Sequence, residues 1–291
     1  MSHKNWSSAL SVWVVLVGLA VAAPPNKALI VDGQNGHDWK STTPVLKKVL
    51  EETGLFSVDV ATSPAKGEDM SGFAPDFAAY DVVVSNYAGD SWPEKTQKAL
   101  VDYVSGGGGL VVYHFACAAF PQWKEYNEMS GLGGWGGRNE KDGPYLRWRE
   151  GKVVRDMTPG QGGGHGPAQP FQLIVREPDH PITKGLPEKF AHPTDELYGW
   201  LRGPAKNVKV LATAFAPKDK GGSDEHEPLL FTVKYGKGRV FQNALGHAPE
   251  QLRSVSFIAT FQRGVEWAAT GKVTQKVPDD FPGPDKPSVR Q

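Results

Sequence analysis

Four histidines stand where chemistry could gather: His37, His114, His165 and His247 sit beside glycines or at the ends of apolar runs. Imidazole is the commonest metal ligand and the only side chain that titrates unperturbed near neutrality. Taken singly, each reads equally well as a loop histidine with one hydrogen bond. Four in such positions point to a shared site, although no HExxH or CxxC spacing names a metal. The acidic pair Asp195-Glu196 is the second feature. Neighbouring side chains on an extended chain face opposite ways, so one carboxylate can enter a cleft while the other caps backbone or orients a histidine. The alternative is a helix N-terminus with acids near the dipole. Cys117, the only cysteine, lies three residues past His114 between Ala116 and Ala118. No cation in the adjoining sequence favours its thiolate, so it reads as a buried structural thiol rather than a nucleophile. Trp39, Trp123, Trp135 and Trp148 are the aromatic candidates for stacking on a sugar ring. His226, in the acidic run Ser223–Glu227, reads as part of a solvated loop.

The elements that must position these residues follow a β–α alternation. Ala28–Val31 is an apolar run closed by Asp32-Gly33, the mark of a buried parallel strand. A polar loop carries His37 and Trp39. Thr43 then caps a helix with Pro44 in its first turn, and Gly54 ends it. Phe56–Ala61 and Val82–Val84 are the next strands. Pro93 opens a second helix, and Leu110–Tyr113 is a fourth strand that runs directly into His114. In an open parallel sheet, ligands collect beyond the carboxyl ends of strands, which puts His37 and His114 on one edge. Residues 131–170 are rich in Gly and Trp with little periodicity, as in a functional or irregular segment. Gln172–Val175, Val208–Ala212, Leu229–Val233 and Val240–Asn243 are later strands. Tyr235–Gly238 is a hairpin-like turn, and a helix covers Ser254–Ala269.

Bulk properties narrow the function class. The 291 residues carry 32 Lys+Arg and 32 Asp+Glu, with no basic run of the kind that nucleic acid requires. The apolar run Ala9–Val21 ends in the small residues Val21-Ala22-Ala23, which reads as an export signal over residues 1–23. It is shorter than the roughly 20 residues of a stable membrane span. The expected organisation is therefore a signal at 1–23, one α/β domain at 24–272 and a Pro-rich tail at 273–291. The expected location is secreted or periplasmic, with no membrane span after processing.

Five stretches carry a resemblance. They are Val31–Trp39 (VDGQNGHDW), Gly107–His114 (GGGLVVYH), His180–Pro187 (HPITKGLP), Asp195–Tyr198 (DELY), and Tyr235–Phe241 (YGKGRVF) leading to Gly246-His247. In this order they resemble the trehalose-utilisation, or ThuA-like, family. The resemblance implies a class I glutamine amidotransferase-like fold: flavodoxin-like, with a mostly parallel sheet and helices on both faces. That superfamily places a Cys nucleophile at the elbow after a central strand, where ThuA-like proteins place His, here His114. Thiol-dependent amide hydrolysis is accordingly not expected. The family's link to disaccharide use through 3-keto sugars implies an enzyme that cleaves or isomerises a 3-keto glycoside. A C3 carbonyl acidifies the C2 proton, so a base can remove it while the C1 substituent leaves. Such a site needs a general base and an electrophile, either one divalent metal ion or a neutral imidazole. The corresponding expectations are His114, Asp195 and Glu196 in acid–base roles, His37, His114 and His247 as metal ligands, and Trp39, Tyr198 and His165 against a small-molecule carbohydrate. The rival expectation is a non-catalytic carbohydrate-binding protein on the same fold.

Overall fold

The computed structural model describes residues 1–2 and 25–291, so the expected signal, beyond its first two residues, lies outside the described residues. The strands in chain order are β1 (Asn26–Asp32), β2 (Phe56–Thr62), β3 (Val82–Ser85), β4 (Gly109–Tyr113), β5 (Tyr145–Arg149), β6 (Lys152–Asp156), β7 (Gln169–Val175), β8 (Lys189–Asp195), β9 (Val208–Ala216), β10 (Glu225–Tyr235) and β11 (Gly238–Asn243). The α-helices are α1 (Trp39–Glu51), α2 (Glu94–Gly106), α3 (Lys124–Ser130), α4 (Pro249–Leu252) and α5 (Val255–Thr270).

Nine strands form one sheet in the order β2-β1-β3-β4-β11-β10-β9-β7-β8. The first five run parallel, and each remaining neighbour pair is antiparallel. Alternation then returns β9 and β8 to the direction of the first five, so only β10 and β7 run against the rest. This is the mostly parallel, flavodoxin-like sheet that the motifs imply. Strands β3 and β4 are buried along their whole length, because helices cover both faces. Helices α1, α4 and α5 touch one another on one face, while α2 and α3 pack elsewhere on the sheet, against β11 and β10.

Several local expectations needed correction. Helix α1 begins a turn earlier than Thr43, because Asp38 caps it by accepting from the Ser41 amide. Pro44 consequently sits inside the helix, where it forgoes one backbone bond to the Lys40 carbonyl. Residues 131–170 are not wholly irregular: β5 and β6 form a separate two-stranded hairpin. Its two-residue turn holds Glu150 at φ +51° and Gly151 at φ +77°, a mirror-image turn that usually carries Asn-Gly. Strand β8 contains Pro193, which a strand tolerates at the sheet edge, where β8 lies. The acidic run Ser223–Glu227 leads into β10, which takes up its last three residues, rather than forming a solvated loop. Its Glu227 is buried in an ion pair with Arg147 of β5, and His226 is half-buried.

The Pro-rich end has no helix or strand yet lies along the domain. Phe281 packs edge-on against the buried Phe190 at 5.1 Å, and Gly283 accepts from the Ala191 amide. Farther on, Ser288 accepts from the Val255 amide at the start of α5. No helix among the described residues is long and apolar enough to cross a membrane.

Candidate functional site

Four strand ends meet at one edge of the sheet. His37 lies in the loop between β1 and α1, where its backbone amide donates to Asn35 Oδ1 at 3.0 Å. His114 is the first residue after β4, at φ +45°, a left-handed conformation that side chains rarely adopt. Such strain persists only where the surroundings enforce it, and it is characteristic of functional elbows. The loop after β11 brings Gly246 and His247 to the same edge. Glu196 leaves the end of β8 there as well, because β8 and β11 run in the direction of β1 and β4.

The side chains converge closely. Among the described residues, one ligand atom from each of His37, His114, Glu196 and His247 lies within 4.8 Å of the other three. Glu196 is central. Its Oε2 is 3.5 Å from His114 Nε2 and 4.0 Å from His37 Nε2, while its Oε1 is 3.0 Å from His247 Nδ1 and 3.5 Å from His165 Nε2. The Tyr198 hydroxyl lies 2.8 Å from His114 Nε2 and 3.2 Å from His37 Nε2.

Hydrogen bonding settles one tautomer. His114 Nδ1 is 2.8 Å from the Ala244 carbonyl, which can only accept, so Nδ1 carries the proton and Nε2 turns a lone pair inward. Burial, reinforced by repulsion from His114, pushes the His37 imidazole down to about 4, so it is neutral at physiological pH. Burial alone would raise the Glu196 carboxyl, but the surrounding imidazoles, His114 foremost, outweigh it and hold the group at about 2. Burial raises the Tyr198 phenol well above its ordinary value, so it remains a donor. Within the cluster two buried atoms lack a hydrogen-bond partner, Glu196 Oε2 and His247 Nδ1. The close approach of His247 Nδ1 to Glu196 Oε1 is thus out of hydrogen-bond alignment. Orphaned buried polar atoms need an explanation, and here both face the centre of the cluster.

Asp195 takes a different place from Glu196. It is fully buried, and both of its oxygens are engaged. Oδ2 accepts from His192 Nε2 at 2.8 Å and from the Gly246 amide at 2.7 Å; Oδ1 accepts from the amides of Glu196 and His247 at 2.9 and 3.1 Å. Burial alone would raise this carboxyl, yet its partner His192 and these bonds hold it below the usual carboxylate range. It holds the turn that carries His247 and offers no free oxygen to a substrate, so the acid–base role expected for Asp195 does not fit its position. Sequence reasoning passed over His192. The spacing His192-Pro-Thr-Asp195 was its only signal. Its Nδ1 meets Ser256 Oγ at 2.8 Å, completing a serine–histidine–aspartate chain that resembles a nucleophilic triad but is fully buried at all three members.

The other expected residues spread over a wider area. Tyr198 is buried, with its ring stacked on His114 at 4.4 Å and its hydroxyl between His114 and His37. His165 is at the rim, with Nδ1 2.8 Å from the Gly166 carbonyl and Nε2 toward Glu196. Trp39, the first residue of α1, is not in the cluster; it lines an adjoining cleft of about 470 Å³ together with Gly36, Phe115 and Lys66. Phe115 was not foreseen, although it follows His114 directly and its ring meets His37 edge-on at 4.7 Å. Cys117 is fully buried, and burial pushes its thiol up to about 12.

Relatives agree with this architecture. The family model described as trehalose utilisation, ThuA, matches residues 27–268. A ThuA-like protein from Parabacteroides merdae is 48% identical, with a TM-score of 0.90, over 92% of this chain and 98% of its own. A ThuA-like protein from Bacteroides uniformis, 20% identical with a TM-score of 0.59, shares the fold over 89% of this chain and 96% of its own. A cytoplasmic protein from Salmonella typhimurium, 16% identical, has a TM-score of 0.50 over 83% of this chain and 99% of its own. Among curated proteins, none matches the chain significantly.

Proposed function

The chain belongs to the ThuA trehalose-utilisation family, and from that premise we propose that it is an exported enzyme that cleaves a 3-keto glycoside at the histidine–glutamate cluster. The observation that carries the reading is the meeting of His37, His114, Glu196 and His247, delivered by four separate strand ends, within 4.8 Å. The donor set suits a divalent cation: three imidazoles and one carboxylate, with one tautomer set by a backbone carbonyl and two buried atoms lacking partners. When bound, such an ion supplies Lewis acidity to a keto oxygen.

The chain's own groups supply the remaining steps. His165 donates Nδ1–H to the Gly166 carbonyl, which leaves an Nε2 lone pair to take the C2 proton, with Glu196 Oε1 3.5 Å away to steady the resulting cation. The C–H electron pair moves toward the C3 carbonyl, and the C1–O bond then breaks as the C1–C2 double bond forms. The proton held on His165 returns to the departing oxygen. Addition of water at C1 would complete hydrolysis. The Tyr198 hydroxyl, kept protonated by burial, lies 2.8 Å from His114 Nε2; with that lone pair given to a bound ion, the phenol proton is left for a substrate oxygen. The apolar run that ends in Val21-Ala22-Ala23 supports export with cleavage before Pro24.

The test has two arms. Purified protein is expected to contain about one divalent ion per chain, which His114→Ala and Glu196→Gln remove. Incubation with 3-keto glycosides and their unoxidised parents is expected to release the leaving group from the keto form alone. Metal-free protein without turnover on either form would overturn the proposal and favour a carbohydrate-binding role.

A further inference from the structure

The segment Gly133-Gly134-Trp135-Gly136-Gly137 has one side chain, and the backbone beneath it is left-handed, with Trp135 at φ +57°. Glycine adopts that conformation freely, whereas a bulky residue is held in it only by its surroundings. The surroundings are evident: the Trp135 amide donates to the Gly162 carbonyl at 2.6 Å, and its carbonyl accepts from the Arg138 amide at 3.1 Å. A tryptophan thus occupies the first of three consecutive left-handed positions, the other two being Gly136 and Gly137. Its half-buried ring lies 4.7 Å from Tyr198, 5.1 Å from Phe115 and 6.3 Å from His165. Phe115 in turn lies against His37. Trp135 and Phe115 together border the cluster on one side.

Beyond these rings the surface is concave. The cleft that Trp39 lines and a second cleft of about 270 Å³ share Lys66, Ala88, Gly89 and Phe115. Trp135 lines the second. The Phe115 ring borders both clefts as well as His37, so it lies between the cluster and the concave surface.

We infer that Trp135, braced by Phe115, is the wall on which a pyranose of the substrate stacks, and that the concave surface beyond takes the rest of the glycoside. This rests on the reading of the cluster as a carbohydrate site. A pyranose offers a face of C–H groups, and an aromatic ring with one exposed face is its natural counterpart. The backbone strain is then the cost of presenting that ring beside the cluster.

Calorimetric titration of the full chain with trehalose and with an aryl glucoside tests the inference, using Trp135→Gly and Trp135→Phe. Trp135→Gly is expected to weaken binding at least about tenfold, and Trp135→Phe to stay within about threefold of the unaltered chain. Glycine relieves the strained backbone, so the melting temperature separates stacking from support. On a 3-keto glycoside the glycine variant is expected to raise KM with little change in kcat. Equal affinity in the glycine variant, or parallel loss of affinity and melting temperature in both variants, would overturn the inference. So would an unaltered chain that binds neither sugar. Binding that depends on Trp135 without turnover on any keto glycoside would remove the proposed reaction and leave this wall in place.

Discussion

At the Asp195-Glu196 peptide, strand alternation sends one carboxylate to four donors and the other to four imidazoles within 4.0 Å. Their substitution should therefore separate two effects. Asp195→Asn places an amide hydrogen against backbone donors in a sealed position, with an expected cost of roughly 1–3 kcal/mol and metal binding weakened about 10–100-fold. Glu196→Gln disturbs no backbone bond and is expected to abolish metal retention with little change in melting temperature. Calorimetric melting combined with metal content checks both, and equal behaviour of the two variants counts against the assignment. Cys117 marks the opposite case of a reactive residue type without access. With the thiol sealed and pushed up to about 12, Cys117→Ala should keep turnover and lose at most about 1–2 kcal/mol of stability. The native chain should also resist alkylation; rapid labelling under native conditions would revive a thiol mechanism.

Helix α5 lies under β4 and β11, the strands that deliver His114 and His247. Two of its buried side chains, Arg263 and Glu266, look to the terminal segment for partners. Glu266 accepts from the amides of Thr274 and Gln275, and Arg263 Nη1 donates to the Gln275 carbonyl at 2.5 Å. A chain ending at Gly271 would strip the Glu266 carboxylate of these donors, take one of four carbonyls from Arg263, and uncover Phe190, which packs against Phe281. The expected loss is at least about 2 kcal/mol, read as a lower urea midpoint. An unchanged midpoint would show that the strap is dispensable. Pattern reading missed this strap because proline-rich composition signals a lack of regular structure, and composition carries no record of a backbone docked by scattered hydrogen bonds. Strand β8 and the β5–β6 hairpin escaped for related reasons. Pro193 and the left-handed Glu150 break local rules that an edge strand and a tight turn respectively permit.

At the scale of the whole molecule, acid stability has an identifiable contributor far from the cluster. His180 lies in the connection between β7 and β8, 5.0 Å from the Trp267 ring of α5, and its Nδ1 accepts from the Ile182 amide. Burial, with the Lys209 charge adding to it, lowers its pKa from 6.5 to about 4. Between those values the unfolded chain binds a proton that the folded chain refuses, so stability rises with pH. The contribution is complete above about pH 6.5 and is lost as pH falls toward 4. Urea unfolding at pH 4, 5, 6 and 7 is expected to show a shallower slope for His180→Phe, by up to about 1.4 kcal/mol per pH unit. Identical slopes would remove His180 as the cause.

The alternation of apolar runs with helical periodicity, read residue by residue, already determined the β–α order and the rows that become β1, β3, β4 and β11. It also put His37 and His114 on one edge, since parallel strands joined by helices must end on the same side. Two adjacent carboxylates on an extended chain implied that they would part company. Which one faces the imidazoles depended on the direction of β8, and that direction is set by antiparallel pairing with β7, itself paired to β9. The Tyr198 hydroxyl between two imidazoles, the burial of His192 and the placement of Trp135 likewise depend on contacts between distant segments. Periodicity records which face of an element is apolar, but strand order and direction emerge only from long-range pairing, and with them the residues that meet.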